Sequence, residues 1–295
     1  GFQLNGNKYG YMRVIFTNNT GGALIKEWAY ENTNDAAVAV GNVKRTGSDV
    51  TLDSTYGNFS IGSVVTDASG TTNVVKTGSG TTSLSAMNTY TGTTQMNTGR
   101  LNINGSTAAA SAVTVSSGAT LGGDGIINGN VTLDGILRPG QGGSTDRTMT
   151  LTGTLTANAG SSMVFTIASE SSHDQLIVGS VNLSNTNLSI DSFTDSSVTE
   201  LAAGDGANFL TSGASFYKLI EGSTSGTMFA NAEVMPAWEM SYYGLSGSQY
   251  VINTDLQRFW LAQGSIYAVA IPETSTTLFG VVSMIGIGLR RRRQA

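Results

Sequence analysis

The sequence has no cysteine, three prolines and a single histidine, and charged residues make up only 12% of its 295 positions. The absence of cysteine excludes a disulfide framework, a thiolate metal site and a cysteine nucleophile. Periodic runs of Ala, Leu, Glu and Lys, which long helices require, are almost missing as well. We therefore expect a fold without long helices and a site, if there is one, without cysteine.

Basic residues are also scarce, because the net charge is −5 and four of the 15 Lys and Arg residues stand together near the C-terminus. These four are Arg290, Arg291, Arg292 and Arg293, and the remainder of the chain is more acidic still. Nucleic-acid binding requires clustered Lys and Arg that face the phosphates. We therefore expect no nucleic-acid partner.

Glycine is abundant, with 38 residues, and it is interspersed with Ser, Thr and Asn around short β-branched triplets. This mixture predicts many short strands joined by tight turns. Three triplets, which begin at Val113, Val131 and Met149, follow one another at an interval of 18 residues. A fixed interval of this size predicts a stacked solenoid, in which each coil completes its core only against its neighbours.

Residues 74–105 contain the patterns K-T-G-x-G-T from Lys76, N-T-Y-T-G from Asn88 and N-T-G-R-L from Asn97. This stretch resembles the passenger-associated, autotransporter-type β-strand repeat, and residues 121–141 and 173–178 resemble segments that commonly follow it. The resemblance implies a right-handed parallel β-helix on a secreted or surface-exposed bacterial protein. The predicted fold class is all-β, namely this right-handed parallel β-helix (solenoid) with flanking β-strand segments and one short C-terminal transmembrane helix.

Four regions are expected along the chain. Residues 1–70 are predicted to be a partial, truncated N-terminal β domain and a connector, with the native N-terminus and any export signal upstream. Residues 71–200 are predicted to be the parallel β-helix with its passenger-associated repeat. Residues 201–270 are predicted to be a C-terminal β cap, with strands at 216–220, 238–243 and 250–260. Residues 271–295 form a separate tail.

The tail reads IPETSTTLFGVVSMIGIGLRRRRQA and has three parts: Ile271, Pro272 and Glu273, then an apolar run at 276–289, then the four arginines. The residues predicted to lie in the membrane are Thr276, Leu278, Phe279, Val281, Val282, Met284, Ile285, Ile287 and Leu289. The order resembles the PEP-CTERM sorting signal of Gram-negative bacteria, with Thr274 where that motif has its second proline. The resemblance implies export, recognition by a membrane exosortase, cleavage near the motif, and release or attachment at the cell surface.

The physical properties of the tail suit a temporary anchor. Its 14-residue apolar run is shorter than the roughly 20 residues of a stable span, and three glycines lower its hydrophobicity. The arginines would stay on the cytoplasmic side, which leaves the rest of the chain on the periplasmic side. Pro272 and Glu273 would then lie just outside the bilayer, within reach of a membrane-embedded enzyme. The alternative is a buried terminal helix followed by a solvated basic end.

Candidate catalytic and metal-binding groups are few. His173 and Asp174 could belong to a Ser/His/Asp triad, but adjacent strand residues point to opposite faces, and no G-x-S-x-G motif accompanies them. Asp124 and Asp134 could form a carboxylate pair as in glycosidases, although turn formation also accounts for both. Ile127 stands where a calcium-binding G-G-x-G-x-D repeat has its aspartate. We expect no catalytic residue, no metal and no cofactor.

From the sequence we expect a non-enzymatic structural or adhesive protein that is exported, resides transiently in the inner membrane, and then reaches the cell surface or the extracellular space. Its partners would be an exosortase, the membrane through the C-terminal helix, and an extracellular polysaccharide or biofilm matrix, which a polar Thr, Asn and Ser face would contact. Two alternatives remain. One is a β-helix carbohydrate-active enzyme, a polysaccharide lyase or hydrolase, and the other is an autotransporter passenger or adhesin.

Overall fold

The structure is a computed structural model. It describes residues 2–4, 8–16, 23–30, 43–67, 70–109, 111–140, 147–169, 171–194, 204, 217–226, 229–253, 258–262 and 266–271. In these ranges strands dominate and one short helix is present. The strands belong to three sheets, two of which are built largely from parallel pairs. The expectation of a mostly β fold is therefore confirmed.

The smallest sheet is antiparallel and lies in the N-terminal part of the chain. It contains β1 (Phe2–Leu4), β2 (Lys8–Phe16) and β3 (Ala23–Tyr30), with β2 in the middle. β1 and β2 pair through Phe2 and Gly10, and β2 and β3 pair through Gly10 and Tyr30. The ladder between β2 and β3 contains a register shift after Arg13, so it is not a regular hairpin.

The second sheet, called here the long sheet, has fourteen strands. From one edge to the other they are β4 (Val43–Thr46), β5 (Asp49–Asp53), β7 (Asn73–Thr77), β9 (Thr94–Met96), β11 (Val113–Val115), β14 (Val131–Leu133), β16 (Thr148–Ala157), β19 (Gln175–Leu183), β21 (Tyr217–Gly226), β25 (Ile266–Ile271), β24 (Arg258–Ala262), β23 (Tyr250–Asn253) and β22 (Glu233–Val234). The fourteenth strand, β13 (Ile126–Ile127), pairs with β16 beside β14. All pairs from β5 to β21 are parallel, and all pairs from β21 to β22 are antiparallel.

The third sheet, called here the short sheet, has eight strands. Its order is β6 (Phe59–Ile61), β8 (Thr81–Leu84), β10 (Gly99–Ile103), β12 (Ala119–Gly122), β15 (Ile136–Leu137), β17 (Ser162–Ser169) and β18 (Ser172–His173), and β20 (Asn187–Phe193) also pairs with β17. Its pairs are parallel except for that between β17 and β18. Between β5 and β21 the chain therefore passes repeatedly between the two sheets.

The predicted 18-residue interval is confirmed for one pair of strands and wrong for the next. Val113 pairs with Val131, as the interval requires, whereas Val131 pairs with Leu155 rather than with Met149. The reason is the length of β16, which extends past β14 and places Leu151 beside Ile127 of β13. More residues therefore separate Val131 from its partner Leu155 than the 18-residue interval predicts.

One hydrophobic core lies between the long and the short sheet. Strand residues alternate between a buried and an exposed side, so Val113 and Val115 are buried while Thr114 is not. Leu121 and Leu137 pair in the short sheet and belong to the same apolar cluster. Parallel pairing thus places the buried residues of one strand beside the buried residues of the next, as Leu121 beside Leu137.

The structure refines one sequence prediction and corrects another. The segment 46–70, for which a connector or an irregular strand is predicted, contains β5 and β6, which pair in parallel with β7 and β8. The strand predicted at 238–243 is instead helix α1 (Ala237–Tyr243). Its W-E-M-S-Y sequence alternates as a strand would, but Glu239 and Tyr243, four residues apart, are the pair that is buried. Gly244 ends the helix in the left-handed conformation, with its N–H bonded to the Met240 carbonyl.

Candidate functional site

The predicted sorting motif begins where the described chain ends. Ile271 is the last residue of β25 and is fully buried in a small apolar cluster with Tyr243, Trp260 and Val269. The remaining tail residues, which are Pro272, Glu273, the predicted span at 276–289 and the four arginines, lie outside the described residues. The short helix in the described part of the chain is not long and apolar enough to cross a membrane.

A buried ion pair fixes helix α1 beside the end of β25. The Arg258 guanidinium donates to both carboxylate oxygens of Glu239, from Nη1 to Oε1 and, at 2.9 Å, from Nη2 to Oε2. Glu239 is 0% exposed, so its charge is compensated by Arg258 and not by solvent. Arg258 is also the register partner of Ile271. The last described residue and the helix are therefore held at the same end of the antiparallel strands.

A second group of charges, called here the acidic network, lies between β15, β17 and β20. Thr166 connects two acids: its backbone N–H donates to Asp174 Oδ2 at 3.0 Å, and its hydroxyl donates to Asp191 Oδ1 at 3.2 Å. Asp191 in turn pairs with Arg138. Asp174 is 1% exposed, and its Oδ1 atom has no hydrogen-bond partner among the described residues. Burial therefore raises the pKa of Asp174 to about 6, while Thr166 and Arg138 oppose the shift.

His173 and Asp174 do not form a catalytic pair in the structure. His173 Nε2 lies 3.3 Å from the Lys218 carbonyl oxygen, and its ring packs edge-on against Tyr217. Asp174 instead bonds to Thr166. The side chains of the two residues therefore contact different strands, as expected for neighbours on an extended chain.

Asp124 and Asp134, the candidate carboxylate pair, bond to different residues. Asp124 Oδ2 accepts a bond from Arg147 Nη1 at 2.5 Å, and Asp134 Oδ1 accepts one from Asn158 Nδ2 at 2.8 Å. Each aspartate thus ties its own turn to a later strand or turn. In the described part of the chain, no group of three His, Cys, Asp or Glu side chains is arranged to hold a metal ion.

The K-T-G pattern of the repeat contains a buried lysine. Lys76 is 0% exposed, and its ammonium donates to Ser54 Oγ at 2.7 Å and to the carbonyl oxygens of Thr77, Gly78 and Thr98 at 2.6, 2.9 and 3.2 Å. Burial lowers the pKa of this group to about 8, against the opposing effect of Asp53. The ammonium therefore satisfies carbonyl groups from consecutive turns at one corner.

The N-T-Y-T-G pattern contains a buried amide with a similar role. Asn88 Oδ1 accepts the backbone N–H of Val65 at 2.9 Å, and its Nδ2 donates to the carbonyls of Ala86 and Ser106, both at 3.0 Å. Tyr90, two residues on, is fully buried, and its hydroxyl bonds to Thr94 Oγ1 at 2.6 Å. The polar residues of this motif therefore hold successive turns together and do not form a reactive centre.

A column of uncharged polar residues runs along the outer face of the long sheet. Its members pair in register from strand to strand, and those from Gln95 to Asn182 lie between buried neighbours on each side. The outer column, as we call it, contains Gln95, Thr114, Thr132, Thr156, Asn182 and Ser225. Adjacent strands lie about 4.7–4.9 Å apart, so the column presents hydroxyl and amide groups at that interval.

Sequence reasoning missed Lys76, Asn88 and the ion pair between Glu239 and Arg258 as buried polar groups. A signal existed for Lys76, because it shares a strand face with the apolar Val74, two residues earlier. The N-T-Y-T-G pattern does not show that Asn88 is buried, and nothing in the sequence connects Glu239 with Arg258. Comparison of the chain with protein-family models and with curated proteins gives no match.

Proposed function

We propose that the chain is an exported, non-enzymatic structural or adhesive protein with the architecture of a right-handed parallel β-helix. The support for this architecture is the path of the chain, which alternates between two sheets and returns each time to a parallel neighbour. Val74, Thr94 and Val113 succeed one another in this way in the long sheet. Such a path is that of a solenoid, and parallel connections of this kind are almost always right-handed.

The outer column is the observation that carries the functional proposal. It is free of charge from Gln95 to Ser225, and Thr114, Thr132 and Thr156 contribute three consecutive hydroxyl groups. Hydroxyl and amide groups exchange hydrogen bonds with the hydroxyl groups of sugars. We infer that this face contacts an extracellular polysaccharide, with many weak and regularly spaced bonds in place of a pocket.

The environments of the candidate catalytic groups favour a structural role over an enzymatic one. A carbohydrate-active enzyme needs acids and bases that converge on an accessible groove. Asp174, which has the raised pKa suited to a general acid, is buried away from any polymer, and Asp124 and Asp134 are bonded to other residues. The described residues therefore give no support to the enzyme alternative.

The tail supplies the proposed route to the cell surface. Its motif, short apolar run and four arginines suit transient residence in the inner membrane and processing near Ile271, Pro272 and Glu273 by an exosortase. Ile271 is buried at the end of β25, so cleavage before this residue would require the strand to open. Release or attachment at the surface would follow.

Fractionation of expressing cells with mass spectrometry of the mature C-terminus tests the sorting proposal. In a host that contains an exosortase we expect the surface fraction to lack Arg290 and the residues after it. The double variant Pro272→Ala and Glu273→Ala should stay intact in the inner-membrane fraction. Glu233→Ala, an exposed acid in β22, is the matched control and should be processed normally. Intact arginines on all surface-located protein would contradict sorting through the tail.

Cosedimentation with purified exopolysaccharide tests the contact face. The triple variant Thr114→Val, Thr132→Val and Thr156→Val removes three hydroxyls without changing side-chain shape, and we expect affinity to fall about tenfold. Thr120→Val, a half-buried residue in the short sheet, is the control and should bind normally. Equal affinity of the triple variant would reject the outer column as the contact face. Release of shortened or unsaturated sugars from the same samples would favour the enzyme alternative.

A further inference from the structure

The exposed face of helix α1 carries two aromatic side chains close to the point where the described chain ends. Trp238 and Tyr242 are four residues apart and each is 51% exposed, and Val234, just before the helix, is 62% exposed. We call these three residues the aromatic face. Residues four apart lie on the same side of a helix, so the two rings present one surface. Tyr56 and Met87 are also exposed in the described chain, but Trp238 and Tyr242 lie together on one helix face, and exposed apolar groups that adjoin one another mark a contact surface.

The orientation of the aromatic face is fixed by the opposite side of the helix. Glu239 is held by Arg258, and Tyr243 is 2% exposed in the cluster that contains Trp260. Trp260 differs from Trp238 in that it is 5% exposed and donates its indole N–H to Gln249 Oε1 at 3.0 Å. Trp238 and Tyr242 therefore point away from the protein because the other side of α1 is packed.

The position of the helix relates the aromatic face to the tail. Arg258 is bonded to Glu239 on α1 and is the register partner of Ile271, so the chain leaves β25 beside the helix. Only five residue steps separate Ile271 from Thr276, the first residue of the predicted span. Even when fully extended, five steps cover at most about 18 Å. A bilayer that holds the span must therefore lie close to this end of the molecule.

We propose that the aromatic face docks on the periplasmic surface of the bilayer that holds the tail, and so orients the protein for processing. The inference rests on the proposed membrane residence of residues 276–289. Trp and Tyr prefer the membrane–water interface, where the ring is in an apolar layer and its polar atom is hydrated. Glu239 is the one charged residue of α1, and its pairing with Arg258 removes the cost of bringing an unpaired charge to lipid. Stacking on sugar rings is the competing use of the aromatic face. The nearness of the tail favours contact with lipid over contact with sugar.

Depth-dependent fluorescence quenching on the full-length chain in lipid vesicles tests this docking. Trp28→Phe with Trp260→Phe leaves Trp238 as the single tryptophan, and Trp28→Phe with Trp238→Phe leaves the buried Trp260 as the matched control. We expect a quencher at headgroup depth to act about threefold more strongly on Trp238 than on Trp260. A quencher at the bilayer centre should reduce the fluorescence of Trp238 and Trp260 about equally. The Trp28→Phe chain, which keeps both remaining tryptophans, repeats the measurement if replacement of Trp260 impairs folding.

The outcomes separate this inference from the sorting proposal. If the chain floats with the vesicles and Trp238 is quenched at headgroup depth, docking is supported. If it floats but Trp238 is quenched no more than Trp260, docking is rejected and the membrane residence of the tail stands. If the chain does not float, both are rejected. A shift of Trp238 fluorescence with soluble polysaccharide, without quenching by lipid, would assign the aromatic face to sugars and overturn docking.

Discussion

The long sheet contains two regions that are stabilised in different ways. In the parallel region, from β5 to β21, each strand pairs in parallel with a strand that comes one passage earlier or later. In the antiparallel region, from β21 through β25 to β22, the chain folds back on itself and α1 covers one face. The change of direction falls at β21, which pairs in parallel with β19 and antiparallel with β25. The antiparallel strands thus close an edge that the parallel region would leave unpaired.

The two regions also differ in how they satisfy buried polar groups. In the parallel region the partners of Lys76 and Asn88 are mostly backbone atoms of neighbouring turns. In the antiparallel region Glu239 is satisfied by a side chain, Arg258. A defect in the parallel region should therefore displace backbone and affect several strands, whereas a defect in the antiparallel region should remain local.

The largest expected effect is at a corner of the parallel region. A Cβ atom at Gly105 would lie 2.1 Å from the Ala86 carbonyl oxygen, so Gly105→Ala must separate two turns and should lower the free energy of unfolding by about 4 kcal/mol. The control is Gly62→Ala, where no atom lies within 4 Å of the added Cβ, and it should change stability by less than about 0.5 kcal/mol. Chemical denaturation measures both. Equal stability of the two variants would show that the turns are not rigidly stacked.

A smaller and more local effect is expected in the antiparallel region. Glu239→Gln leaves Arg258 without its counter-charge in a largely buried site and should cost about 3 kcal/mol. Hydrogen exchange should show faster opening of β23, β24 and α1, with the protection of β11 and β14 unchanged. Glu233→Gln, at an exposed acid in β22, should leave exchange unaltered. Loss of protection in β11 as well would mean that the two regions unfold as one unit.

The smallest expected effect is a gain in stability when Asp174 of the acidic network is replaced. The folded pKa of Asp174 is about 6, above its unfolded value of 3.8, so its contribution is most favourable below pH 3.8 and is lost as pH rises through 6. Asp174→Asn should therefore raise the free energy of unfolding by about 1–3 kcal/mol at pH 7. The gain should disappear near pH 4.

The matched control for this prediction is Asp134→Asn. Asp134 accepts a bond from Asn158 in the parallel region, so its replacement should give no gain at pH 7. Unfolding curves at several pH values between 4 and 8 measure both variants. A gain of equal size at pH 4 and pH 7 for Asp174→Asn would contradict a buried, partly protonated carboxyl group.

The repeating part of the fold was predictable because its signals are short-range. Triplets such as V-T-V place one polar side chain between two apolar ones, which defines a strand and its inner face. The 18-residue interval between such triplets then predicts that Val113 pairs with Val131. The register of β16 was not predictable, because added chain between β15 and β16 changes which residues meet without changing the pattern of either strand. Helix α1 was mistaken for a strand because W-E-M-S-Y fits both periods, and packing against Trp260 and Val269 decides between them.

The candidate sites were predictable to different degrees. That His173 and Asp174 do not act together follows from their adjacency on the chain. The burial of Asp174 does not, because it depends on how Thr166, Arg138 and Asp191 pack around it, which no local pattern predicts. The motif residues Lys76 and Asn88 were recognised as a pattern, but their bonds to backbone groups of other turns become visible only in the structure.

The register of the outer column has a consequence for how this chain can change. Next to the column, Val131 pairs with Leu155 and Val181 pairs with Thr224, although very different lengths of chain separate the two residues of each pair. The interval between neighbours in the column is fixed by interstrand hydrogen bonds and does not depend on those lengths. Corners can therefore accept insertions and deletions while the spacing of the outward groups stays constant. A sequence of this kind can diverge widely in its turns and still keep the same periodic outer face.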